Sequence, residues 1–178
     1  MRKPARSPPL SPLDVSGGGP KSTPAGAREL FWRSIDVEAR IEADGSVRVA
    51  ETQALVMTGD WNGGERVFRV ASGQRVRVER IVRIDPESGT ETTLEQGKLD
   101  LVDRWDWSDR STVRWRSRLP SAPPFDRTLL VYRLELVYER IFAAEAGSVY
   151  TLSHDFSFAQ RDGAIERFSL ALDAAPGW

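Results

Sequence analysis

Between Leu130 and Tyr138 every second residue is large and apolar: Leu130, Tyr132, Leu134, Leu136 and Tyr138 share one phase, and Arg133, Glu135 and Glu139 lie in the other. A period of two sends alternate side chains to opposite faces of a strand, whereas a helix gathers residues three and four apart. Leucine and glutamate are good helix formers. The strict alternation and the β-branched or aromatic Val131, Tyr132 and Tyr138 nevertheless predict one long strand over Thr128–Phe142. A sheet strand of that length must find partners, and the rest of the chain is written in the same grammar.

Leu30–Ile41 is the first such stretch, with Phe31, Arg33, Ile35, Val37, Ala39 and Ile41 in one phase. Asp44-Gly45 supplies a turn, because glycine accepts positive φ and aspartate tolerates it. Ser46–Met57 returns as a partner strand, placing Val47 and Val49 in one phase that Glu51 and Gln53 continue. A carboxylate on an apolar face needs a partner or a place at the sheet's rim. The expected partner of Glu51 is Arg66 or Arg69 across the first sheet. Thr58–Gly64 is a glycine-rich corner around Trp61, and Arg66–Val70 follows as a short strand. In Arg75–Ile84 the apolar phase slips by one between Val78 and Ile81, which marks a bulge. Asp85-Pro86-Glu87-Ser88-Gly89 is a turn, with Thr90–Leu94 pairing back as a hairpin.

From Gly97 the pattern turns aromatic. Trp105 and Trp107 share one face of a short strand, and Val113, Trp115 and Ser117 alternate with Arg114, Arg116 and Arg118. That basic stripe is expected to pair with a facing acidic strand. Pro120–Pro124 is a loop, since proline cannot donate to a ladder. Ala143–Gly147 has room for one helical turn, and Ser148–His154 and Ile165–Leu172 are the last strands. About nine short strands with turns every 8–12 residues predict an all-β fold, an antiparallel β-sandwich.

Residues 1–28 are rich in proline, serine and glycine without periodicity, so they are expected to be a disordered tail ahead of a sandwich domain at 29–178. The body of about 150 residues is long enough to bury most of its apolar surface in one core. Its charge is mildly acidic, with 20 basic and 24 acidic side chains outside residues 1–29. Nucleic-acid binding needs a concentrated basic face, so no nucleic-acid partner is expected. The sequence has no cysteine, which excludes thiol catalysis, iron–sulfur clusters and cysteine-ligated zinc. No apolar run approaches the roughly 20 residues that span a bilayer, and prolines interrupt the N-terminus where a signal peptide carries its apolar core.

Motifs for chemistry are sparse. His154 is the single histidine; Asp155 beside it points to the opposite face of a strand, so the pair is a poor start for a Ser-His-Asp arrangement. Asp103, Asp106 and Asp109 recur every three residues but lack the spacing and the downstream glutamate of a calcium loop, and they read as a solvated, turn-rich edge. No phosphate loop, dinucleotide fingerprint or HExxH is present. The expectation is no catalytic residue, no metal and no cofactor. Trp61, Trp105 and Trp107, all near turns, form a possible ligand-binding set; as a stacking platform they would make the chain a carbohydrate-binding module. A hydrolase built on His154 and Asp155 is the least favoured alternative.

Several stretches resemble a known family. Ile35-Asp36-Val37, Asp44-Gly45-Ser46, Val49-Ala50-Glu51-Thr52 and Trp61-Asn62-Gly63 with Arg66 are similar to the N-terminal domain of YciQ-like predicted bacterial membrane proteins, domain of unknown function 2207. Trp115-Arg116 with Pro123-Pro124-Phe125-Asp126, and the run from Tyr150 to Trp178, resemble it as well. Ala50 departs from the usual threonine, and the proline that often follows the corner arginine is missing after Arg66. The resemblance covers about residues 30–178 and implies an all-β extracytoplasmic domain, in a longer protein followed by transmembrane helices. It carries over no activity; with the lack of a catalytic constellation, the expectation is a non-catalytic module that presents a surface to a protein or cell-envelope partner. Asp44, Gly45, Glu51, Gly63 and Arg66 are then a structural motif that holds a corner in shape.

Overall fold

The long alternating strand occupies the middle of the larger sheet. In a computed structural model of the chain, which describes residues 28–146, 149–158, 161 and 163–178, twelve strands form three sheets and no helix. The tail expected at 1–28 lies outside these residues except for Arg28. The strands are β1 Glu29–Ile41, β2 Val47–Gly59, β3 Gly63–Val67, β4 Arg75–Ile84, β5 Glu91–Thr93, β6 Glu95–Gln96, β7 Arg104–Trp107, β8 Thr112–Arg116, β9 Phe125–Glu139, β10 Phe142–Ala144, β11 Tyr150–Leu152 and β12 Phe168–Ala174. The six-stranded sheet runs β12-β1-β2-β9-β4-β5, the four-stranded sheet β3-β8-β7-β6, and β10-β11 is a small ribbon. Most pairings are antiparallel; β12 lies parallel to β1, and β6 parallel to β7.

The alternation of β9 does what its sequence dictates. Tyr132, Leu134, Leu136 and Tyr138 are buried, and they meet Val49 from β2 and Ile81 from β4 in a core shared with Trp105, Val113 and Trp115 of the second sheet and with Phe68, which follows β3. Two sheets face one another across this core, as in an all-β sandwich. The outward face of the larger sheet is a lattice of cross-strand ion pairs, including Arg80–Glu135 at 2.5 Å and Arg133–Glu91 at 2.8 Å. Hydrogen bonds from these arginines hold both glutamates below the ordinary carboxylate range.

Four sequence expectations are corrected. In β1 the register shifts between Trp32 and Ser34, so buried Trp32 faces the core while Arg33 is exposed and Phe31 leaves the core phase. β3 starts within the glycine corner, at Gly63, because β3 approaches β8 too closely for side chains. A Cβ at Gly63 would lie 1.8 Å from the Trp115 carbonyl oxygen, and one at Gly64 would lie 2.3 Å from its ring. The helical turn expected at Ala143–Gly147 is instead strand β10 ending at Ala144, with Gly147 outside the described residues. The last strand begins at Phe168 rather than Ile165, although Ile165 makes a bridge to Trp32. The expected bulge is present, with the β4–β9 register shifting between Val78 and Arg80.

A candidate interaction edge and a buried polar pair

Glu51 and Gln53 continue the inward phase of β2, which brings a carboxylate into the core with 1% of its surface exposed. Its partner is Arg66 of β3, itself 3% exposed, so the pair joins the two sheets instead of lying across one of them. Arg66 Nε donates to both Glu51 oxygens at 3.1 and 3.2 Å, and Nη2 donates to Oε2 at 3.1 Å. Arg66 Nη1 donates to the Val67 carbonyl at 2.6 Å. Gln53 donates to Glu51 Oε1 at 2.5 Å and accepts the Trp32 indole N–H at 2.9 Å. The guanidinium lies 4.1 Å from the Phe158 ring centroid and 5.0 Å from that of Phe68. Charge, hydrogen bonds and aromatic faces together compensate the desolvation of both ions. The arrangement joins the two sheets through their side chains.

The other residues of the corner are structural too. Asp44 Oδ1 accepts from the Ser46 amide at 2.9 Å and its hydroxyl at 2.7 Å, while Gly45 takes φ +79°. Ser46 holds the Asp44 carboxyl below its usual value through these bonds. The Asn62 carbonyl accepts the amides of Ser117 and Arg118. Arg118, buried, donates to the carbonyls of Trp61 and Ala122 and pairs with Asp60, which ties the corner to the loop before β9. Of the supposed basic stripe only Arg114 meets an acidic residue on a facing strand, Glu65 of β3. Arg116 donates to the Leu99 carbonyl.

The three tryptophans do not make one platform. Trp61 donates its indole N–H to the Glu29 carbonyl and lines a hollow of about 810 Å³ with Trp115 and Phe158. Trp105, 6% exposed, and Trp107 line a separate hollow of about 830 Å³, two strands away on β7. The three aspartates also separate: Asp103 grips Arg83 with both oxygens at 2.7 Å, Asp106 accepts the Trp107 amide, and Asp109 caps Ser111. Among the described residues no three potential metal ligands come together. His154 is packed edge-on against Tyr138 and Phe156, and its buried Nε2 has no hydrogen-bond partner among the described residues. Burial, seconded by the charge of Arg66, holds it below its ordinary pKa, with Asp155 opposing. Asp155 Oδ1 accepts from the Ser157 amide and hydroxyl.

What the sequence did not reveal is the state of β12. In its parallel pairing Phe168, Leu170 and Leu172 stand beside Ile35, Val37 and Ala39 and therefore share the inward face. Yet they are 40%, 44% and 50% exposed, while their three β1 neighbours are buried. The second sheet does not reach over β12. On the opposite face Ser169 Oγ and Arg167 hold the Asp36 carboxyl below its usual range, at 2.6 and 3.2 Å, and fasten the strand to β1. The core stops one strand short of these leucines.

No family model matches the chain, and no curated protein does. Among solved structures, one described as a "putative protease" from Parabacteroides distasonis ATCC 8503 aligns over 62% of this chain at 11% identity, with a TM-score of 0.32. The alignment spans 23% of that protein's length, and a likeness of this degree carries no argument about activity.

Proposed function

We propose that this domain is a non-catalytic interaction module, the extracytoplasmic β-sandwich of a bacterial membrane protein, and that β12 is its recognition edge. The observation that carries the reading is an edge strand whose three inward-facing apolar residues are left uncovered. Exposed apolar strand edges are recognition or aggregation surfaces, and persist in natural proteins where a partner covers them. The family resemblance supplies the location and the expected attachment through helices of a longer protein.

The absence of cysteine makes both halves testable in cells. With Glu87→Cys, placed in the exposed β4–β5 turn, a membrane-impermeant maleimide is expected to label intact bacteria; labelling only after lysis overturns the location. A photoreactive residue at 170 is expected to give protein adducts that one at 87 does not. Equal or absent adducts at the two positions overturn the recognition edge.

A further inference from the structure

We infer that the occupant of this edge is a second copy of the chain, with β12 pairing antiparallel to its counterpart about a two-fold axis at Leu170. The inference rests on the interaction-module reading and names its partner. Three observations carry it.

The first is the contrast between the two ends of the larger sheet. β5, at one end, is three residues long, and its Glu91 is held in an ion pair with Arg133. Such short, charged edges are how sheets avoid pairing with one another. β12, at the other end, runs for seven residues, FSLALDA, with no proline, no lysine and no register shift. Asp173 is its one charge. An edge without protective devices is an edge built to be paired.

The second is the phase of the free backbone groups. Arg167 offers its carbonyl to the Ile35 amide at 2.9 Å, and the Ala175 amide reaches the Ile41 carbonyl at 2.8 Å. Odd-numbered residues therefore turn their amides and carbonyls toward β1. Phe168, Leu170 and Leu172 turn theirs away from the sheet, which makes the three exposed apolar residues also the ones with free hydrogen-bonding groups. Pairing about Leu170 places them in the hydrogen-bonded positions of an antiparallel ladder and forms about six new backbone bonds.

The third is self-complementarity, which a two-fold interface requires. With Leu170 opposite Leu170, Phe168 meets Leu172 twice, all on the inward face. On the outward face Arg167 comes opposite Asp173 of the other copy, again twice. Asp173 has no ion-pair partner among the described residues. Arg40 stands beside it in the β1 ladder, but its ion pair is with Glu42 at 3.9 Å, and Arg167 keeps Asp36 at 3.2 Å. Moving the axis to Ala171 would lose the Arg167–Asp173 match. The strand therefore matches itself in one register. Edge pairing alone buries less surface than a permanent dimer, so the association is weak in solution, on the order of 1–100 µM. Anchoring in a membrane would raise the effective concentration toward the millimolar range.

The test uses the purified chain. In sedimentation equilibrium it is expected to pass from monomer to dimer across that concentration range. Leu170→Lys, which sets two ammonium groups against each other at the axis, is expected to raise the dissociation constant at least ~100-fold with the melting temperature unchanged. In oxidative cross-linking Leu170→Cys is expected to give a reducible dimer, because the Cα atoms of a hydrogen-bonded pair lie about 5.5 Å apart, within disulfide reach. Glu87→Cys is expected to give no disulfide-linked dimer. A chain that remains monomeric at about 1 mM overturns the inference, as does cross-linking through Ala171→Cys in preference to Leu170→Cys. Adducts from position 170 to a different protein in cells, with no dimer, overturn the second copy while leaving the interaction module standing; no adduct of either kind removes both.

Discussion

Removing the Glu51 carboxylate isolates a buried cation, and the cost follows from the burial of the pair. Arg66 is 3% exposed and donates three of its hydrogen bonds to Glu51. In Glu51→Ala the guanidinium keeps the Val67 carbonyl and two aromatic faces but loses its counter-ion, and Gln53 loses an acceptor. Breaking a buried pair on one side costs about 3–5 kcal/mol. For a domain of this size 1 kcal/mol moves the melting temperature by roughly 2–4 °C, so a drop of roughly 6–20 °C is expected. Urea denaturation of four proteins gives the answer: the parent, Glu51→Ala, Arg66→Met and the double variant Glu51→Leu/Arg66→Met. Both single variants are expected to lose several kcal/mol, whereas the double variant removes both charges at once and is expected to fall within about 1–2 kcal/mol of the parent. Because water is excluded from the pair, added salt is expected to leave the differences unchanged. If Glu51→Ala matches the parent, or if the single losses simply add in the double variant, the two residues do not act as a buried pair between the sheets.

Three further outcomes follow. His154 is neutral-favouring in the fold because burial holds its pKa below 6.5. Its contribution to stability is therefore complete above pH ~6.5 and is lost as the pH falls through that value toward the folded pKa, where the unfolded chain binds the extra proton. His154→Phe is expected to flatten the stability profile below about pH 6.5, and an unchanged slope would count against burial as the cause. Gly64→Ala forces a methyl group against the ring of Trp115, a residue only 2% exposed, and is expected to cost about 1–3 kcal/mol in denaturant titration. Arg118→Met is expected to speed exchange of the backbone amides at positions 117 and 118, whose partner is the Asn62 carbonyl, before it affects the core strands.

How much of this was legible in the sequence depends on how far each feature reaches. The β9 alternation and the slip between Val78 and Ile81 are local, because side-chain phase is set by the backbone of one strand; both match the structure. Glu51 stood out because an apolar phase cannot carry a carboxylate unpaired, and Arg66 was among the two partners that reasoning allowed. That the bond crosses between sheets was not legible, since nothing local assigns β3 to the second sheet. Trp32 was misplaced because a bulge in β1 reverses the phase before Ile35, and Arg33 in an apolar phase was its one visible trace. Gly63 and Gly64 read as turn residues, but their role is close approach to Trp115, a contact more than fifty residues away in sequence. The uncovered stripe on β12 was hidden for the same reason: alternation tells which face a leucine occupies and not whether another sheet lies over it.

Residue-resolved amide hydrogen exchange of β12, followed from dilute to concentrated protein, bears most directly on the recognition edge. Ser169, Ala171 and Asp173 face β1, and their exchange is expected to be slow and independent of concentration. The amides of Phe168, Leu170 and Leu172 point away from β1, and their exchange is expected to be fast in the dilute monomer and to slow as the edge becomes covered. Even-numbered amides that exchange equally fast at every concentration, and with every partner recovered from cells, would contradict a recognition role for this edge.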